Sequence, residues 1–175
     1  LNQGRSSFGF AQSGRRVFVF GGFGNDVLNT TEMLDIETGA FKRGPDMLSH
    51  REGCTAVSID EQRILVIGGR DRNCSKLNTT EIFDVNIRSF TPGPNLLAER
   101  FHCAAVALDA CRILVVGGQN DSDWLAMTEV LNIETMTATA GPDLSCQRAG
   151  CAAMKLDAGR VLVIGGRDDA TYLNT

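Results

Sequence analysis

The chain has 175 residues and a net charge of −4, a length that suits one ordinary domain able to bury about 70% of its unfolded surface. Lys and Arg are scattered without a basic stripe, so a nucleic-acid partner is not expected. No apolar run approaches the ~18 residues of a membrane span, and the opening residues lack a signal- or transit-peptide pattern.

The first unit opens with a strand placed at about Arg5. A polar turn, Ser13-Gly14-Arg15-Arg16, leads into the aliphatic run Val17-Phe18-Val19-Phe20 and two glycines, Gly21-Gly22. A polar loop at Phe23-Gly24-Asn25-Asp26 follows, then Leu28-Asn29-Thr30-Thr31-Glu32 and a third strand, Met33-Leu34-Asp35-Ile36. The turn Glu37-Thr38-Gly39 leads to a short fourth strand near Phe41, and Gly44-Pro45 ends the pairing because proline cannot donate to a ladder.

The second unit starts at Arg51. Its first strand, Gly53 to Ile59, alternates small residues (Cys54, Ala56, Ser58) with larger ones (Thr55, Val57, Ile59), the period of a sheet. Ile64-Leu65-Val66-Ile67-Gly68-Gly69 repeats the aliphatic run, Leu77 to Glu81 repeats the Thr-Glu segment, and Ile82 to Val85 and Phe90 give the last two strands before Gly93-Pro94. The third unit starts at Arg100 and carries Ile113-Leu114-Val115-Val116-Gly117-Gly118, strand Val130 to Ile133, a short strand near Ala138, and Gly141-Pro142. The fourth starts at Arg148 and reaches Val161-Leu162-Val163-Ile164-Gly165-Gly166. The diglycines recur at intervals of 47, 49 and 48 residues, which marks a repeat architecture. Nearly pure Val, Ile, Leu and Phe in the second strand predicts burial on both faces.

Cys54, Cys103 and Cys151 each stand three residues after an arginine, and equivalent sites in stacked sheets lie about 10 Å apart, too far for a disulfide. The remaining cysteines show no C-x-x-C spacing, so reduced thiols, no zinc, and an intracellular, cytoplasmic location are expected. Four N-x-[ST] triplets would matter only in a secreted protein.

Four short antiparallel strands per ~48 residues describe a β-propeller blade. The arginine before the first strand, the diglycine after the second and the repeat length resemble the kelch family over essentially the whole chain. The fold class is therefore all-β, a kelch-type β-propeller with about three and a half four-stranded blades. One propeller segment spans 1–175, with blades at roughly 5–48, 51–97, 100–145 and an incomplete 148–175. One departure is the tryptophan often found on the kelch fourth strand, replaced here by Phe41, Phe90 and Ala138. Propellers close with four to eight blades, so further blades or another chain are expected to cover the open ends.

Arg5, Arg51, Arg100 and Arg148 read as structural, paired with Glu32, Glu81 and Glu129 or with loop backbone. Binding is expected where the units differ, because connecting loops on a rigid scaffold carry recognition residues. The loops after the diglycine and before the arginine share one end of each blade, and the resemblance implies a partner protein or peptide there. The candidate partner-binding residues are His50, Arg70, Asp71, Arg72, Trp124, Arg167, Asp168 and Tyr172. No catalytic residue, metal or cofactor is assigned: His50 and His102 are isolated, and Tyr172 is the only tyrosine, which fails the paired tyrosines of galactose-oxidase-like copper propellers. The functional expectation is a protein-interaction scaffold within a larger protein or assembly. The alternative is a carbohydrate-active oxidase or sugar mutarotase with catalytic residues mostly in other blades.

Overall fold

The computed structural model describes residues 1–174, which form fourteen strands and no helix long and apolar enough to cross a membrane. Blade 1 holds β1 (Gly9–Ser13), β2 (Arg16–Phe20), β3 (Thr31–Asp35) and β4 (Phe41–Arg43). Blade 2 holds β5 (Thr55–Ser58), β6 (Arg63–Ile67), β7 (Thr80–Asp84) and β8 (Ser89–Pro92). Blade 3 holds β9 (Ala104–Ala107), β10 (Arg112–Val116), β11 (Thr128–Asn132) and β12 (Thr137–Ala140), and blade 4 pairs β13 (Ala152–Lys155) with β14 (Val161–Ile164). Every sheet is antiparallel and runs in chain order. The first strands β1, β5, β9 and β13 lie side by side, so the sheets fan from an inner edge in an open arc.

Two boundaries differ from the sequence reading. The first strand begins at Gly9 rather than Arg5, because Arg5 is held outside the ladder by side-chain bonds to Gly21 O and Thr30 O. The third strands begin at the Thr-Glu pair, which stays in register with the second strand, as in Phe20 opposite Thr31 and Val19 opposite Glu32. Each of these threonines is buried and donates its hydroxyl to the proline carbonyl at the blade's end, Thr31 to Pro45 at 2.6 Å and Thr80 to Pro94 at 2.8 Å. A Cβ on Gly44 or Gly93 would collide with the threonine hydroxyl, which is why glycine precedes each of these prolines.

The alternation of β6 divides the core. Ile64 and Val66 pack toward blade 1 with Phe18, Phe20 and Met33, whereas Leu65 and Ile67 pack toward blade 3 with Ile113, Val115 and Leu131. The first interface is aromatic: Phe83 lies 5.2 Å from Phe18 and 4.8 Å from Phe90, centroid to centroid, and Phe20 meets Phe90 edge-on. The second interface is aliphatic. Met47 and Leu96, on the segments between blades, insert into these two interfaces. All six cysteines are free; Cys54 and Cys103 are buried, and Cys151 in the last blade is half-buried.

The repeated arginine joins the blades. Arg51 bonds Glu81 through Nε at 2.9 Å, and its Nη1 donates to the carbonyls of Gly68 and Thr79 at 2.8 and 2.9 Å. Arg100 makes the same set with Glu129, Gly117 and Met127, and Arg148 bonds the Gly165 carbonyl. The Glu81 carboxylate also accepts the N–H groups of Leu48 and Ser49, so it ties down the segment leading in from blade 1. The carbonyl of Arg51 accepts the Gly22 N–H of blade 1, and Arg100 and Arg148 accept from Gly69 and Gly118 in the same way. The first glycine of each pair has a positive φ, and a Cβ on Gly21, Gly68 or Gly117 would collide with the arginine carbonyl of the next blade.

Two outcomes are expected from this geometry. Arg100→Met should cost about 3–5 kcal/mol in urea unfolding, because the Glu129 carboxylate stays buried without its partner; a smaller loss in Arg100→Met/Glu129→Leu would locate the cost in that charge. Gly68→Ala should cost more than about 4 kcal/mol. Gly165→Ala, where the φ is also positive but the nearest atom lies 3.9 Å away, should cost only about 1–2 kcal/mol.

Candidate functional site

The variable loops meet at one end of the blades. Antiparallel bridges link the residue after each arginine to the residue after each diglycine: Ser6 to Phe23, Glu52 to Arg70, Phe101 to Gln119 and Ala149 to Arg167. A second bridge closes each loop, Phe23 to Val27, Arg70 to Lys76, Gln119 to Trp124 and Arg167 to Tyr172. Beside them runs a thread of backbone hydrogen bonds from blade to blade. Gly53 donates to Ser7 O, His102 to Gly53 O and Gly150 to His102 O. All four residues are left-handed, with φ of 51° at Ser7, 60° at Gly53, 56° at His102 and 68° at Gly150.

At the junction of blades 3 and 4 the loops enclose a pocket of about 310 Å³, lined by His102, Gln119, Trp124, Ala149, Gly150, Gly166, Arg167 and Tyr172. The Arg167 guanidinium sits over the Trp124 ring at 5.0 Å and the Tyr172 ring at 5.5 Å. Tyr172 is 84% exposed and forms an outer wall, and Trp124 is half-buried. The arrangement offers an aromatic cleft with a cation between its rings.

Of the eight residues singled out from the sequence, the fold brings three together here: Trp124, Arg167 and Tyr172. Arg70 lies one junction away, over the Phe101 ring at 4.9 Å and ion-paired with Glu52. Arg72 reaches the blade 1 loop, 2.8 Å from Asp26, and Lys76 reaches Asn120 and Asp121 of blade 3. Asp71 and Asp168 accept backbone N–H groups of their own loops, Asp71 from Asn73 and Ser75, Asp168 from Ala170 and Thr171. His50 is half-buried in the segment before Arg51, outside the pocket lining. The sequence reading set His102 aside and did not select Gln119 or Ala149. The signal was present at His102, which stands where blades 2 and 4 have glycine.

His102 packs against Phe101 with the two rings tilted by 59° and their centroids 3.9 Å apart. Burial pushes its imidazole below the ordinary histidine value of 6.5; the Arg70 charge acts the same way, and Glu52 opposes them. A histidine whose value is lower folded than unfolded binds its proton more readily in the unfolded chain, so stability is undiminished above pH 6.5 and declines as the pH falls below it. In a proton NMR titration the His102 ring should therefore show a midpoint below 6.5. Replacing His102 with glycine, as in the flanking blades, should flatten its share of the acid-side decline in stability.

Comparison with known families finds the Kelch motif at residues 4–48 and again at 50–97, together more than half of the chain. No curated protein matches the chain. The third and fourth blades repeat the arginine, the diglycine and the second-strand pairing of the two matched ones. The chain belongs to the kelch-repeat family.

Proposed function

We propose that the protein is an interaction scaffold that holds a partner protein segment on its loop face, with the pocket between blades 3 and 4 as its anchor. Kelch repeats commonly serve as protein-interaction scaffolds, and the observation carrying the finer reading is the Trp124–Arg167–Tyr172 cluster around a cavity of about 310 Å³. Tryptophan, tyrosine and arginine are the residues that most often dominate binding energy at interfaces. Arg70, Arg72, Asp71, Asp168 and His50 would then form the surround of the anchor. The six free thiols favour a reducing, intracellular setting for this role.

A carbohydrate-active enzyme is the competing reading, since Trp124 and Tyr172 could also stack on a sugar ring. Among the described residues the pocket lining offers one imidazole and no carboxylate, so the acid–base pair for such chemistry would have to come from other blades.

The test is site-directed photocrosslinking with p-benzoylphenylalanine at Tyr172 and, as a comparison, at Ile87, an exposed residue of the β7–β8 turn. A discrete protein adduct from position 172 but not 87, reduced about tenfold or more by Trp124→Ala, is expected. Equal adducts from both positions would overturn the reading.

A further inference from the structure

We infer that the pocket between blades 3 and 4 binds an acidic side chain, Glu or Asp, of a partner polypeptide, whose carboxylate takes the place on Arg167 that Glu52 fills on Arg70. The inference rests on the proposed loop-face function and names the chemistry of its ligand.

The two arginines occupy the same position in their blades. Arg70 follows the second diglycine and is bridged in antiparallel register to Glu52; Arg167 follows the fourth and is bridged in the same register to Ala149. In blade 2 the Glu52 carboxylate, almost wholly buried, pairs with the Arg70 guanidinium. In blade 4 the facing residue is alanine, and among the described residues no carboxylate lies within ion-pairing distance of Arg167. Among the described residues the hydrogen bond of the Arg167 side chain is a long one, Nε to the Asp168 carbonyl at 3.4 Å. The Asp168 carboxylate is turned to the N–H groups of Ala170 and Thr171. Truncating the side chain at this position leaves Ala149 and Gly150 as pocket lining beside Arg167. The pocket therefore holds both the cation and room for the anion that answers it in blade 2.

The remaining walls favour a side chain over a free small acid. A free acid needs polar partners around its whole surface, whereas this cleft presents the Trp124 and Tyr172 rings, with Gln119 and His102 as its other polar side chains. Tyr172, open to solvent, offers a flat face for the apolar residues flanking an acidic one. A charge-assisted Arg–carboxylate contact in a partly desolvated cleft supplies specificity for acid over amide.

The test uses the full chain and two fluorescent pools of seven-residue synthetic peptides, random except for a fixed central Glu in one pool and Gln in the other, read by anisotropy. The Glu pool should bind about tenfold or more tightly than the Gln pool. Arg167→Gln should abolish that preference, and Ala149→Glu should do so with Arg167 intact, by supplying the carboxylate internally. Ala149→Gln separates space from charge: it should weaken the Glu pool less than Ala149→Glu does. Lys42→Gln, an equal change of charge on the exposed β4, should leave the preference unchanged. Thermal melting of each variant confirms folding before binding is compared.

Equal binding of the two pools, binding by neither, or full Glu preference in Ala149→Glu would each overturn the inference. The scaffold reading would survive those results, because its crosslinking test does not require a carboxylate.

Discussion

A buried guanidinium bridging two blades is the constraint on which the rest of the molecule depends. Arg51 and Arg100 are almost wholly inaccessible to solvent, and each is compensated by a carboxylate and by carbonyl oxygens of the diglycine and Thr-Glu segments. A charge so desolvated is tolerated only with its full set of partners, which fixes where the second strand ends and the third begins. The same residue's carbonyl receives the N–H of the preceding blade's second glycine, so one amino acid sets both the internal register and the spacing to its neighbour. Against that requirement the apolar packing is permissive. Four phenylalanines fill the first interface and aliphatic side chains the second, yet the joints above them are the same.

Much of this was legible without coordinates because the repeat carries its own internal comparisons. Arginine, diglycine, Thr-Glu and Gly-Pro recur at matching places, so the strands between them could be read from position, and Arg51 takes both partners that position suggested, the Glu81 carboxylate and loop carbonyls. Strand ends were less legible. Arg5 and the Thr-Glu pairs sit where side-chain bonds, rather than propensity, decide whether the ladder continues. The roles of Met47 and Leu96 were also missed, since each is a lone apolar residue in a polar segment with no periodicity to announce it.

The site was legible in part, for a related reason. Trp124, Arg167 and Tyr172 stand out by residue type, and the fold gathers them. His102 and Ala149 stand out through what they replace, a glycine and a glutamate in other blades, and their meaning depends on contacts that sequence position alone does not display: His102 with glycines about a full repeat away, Ala149 with Arg167 across a bridge within its own blade. Arg70 and Arg167 are alike by residue type. Only the residue facing each across a bridge separates an arginine ion-paired within its own blade from one directed toward the cleft.

The hydrogen bonds at each joint run in opposite senses. Blade 1 donates from Gly22 to Arg51 O, while blade 2 donates back from Gly53 to Ser7 O, and the later joints repeat the exchange. Opposed peptide dipoles largely cancel, so the backbone accumulates no axial polarity around the arc, unlike a helix whose peptides align. The charge pattern over the loop face is consequently set largely by its side chains. Replacing a single residue, such as alanine for glutamate, can reverse the local sign of that pattern while the scaffold beneath it remains unchanged.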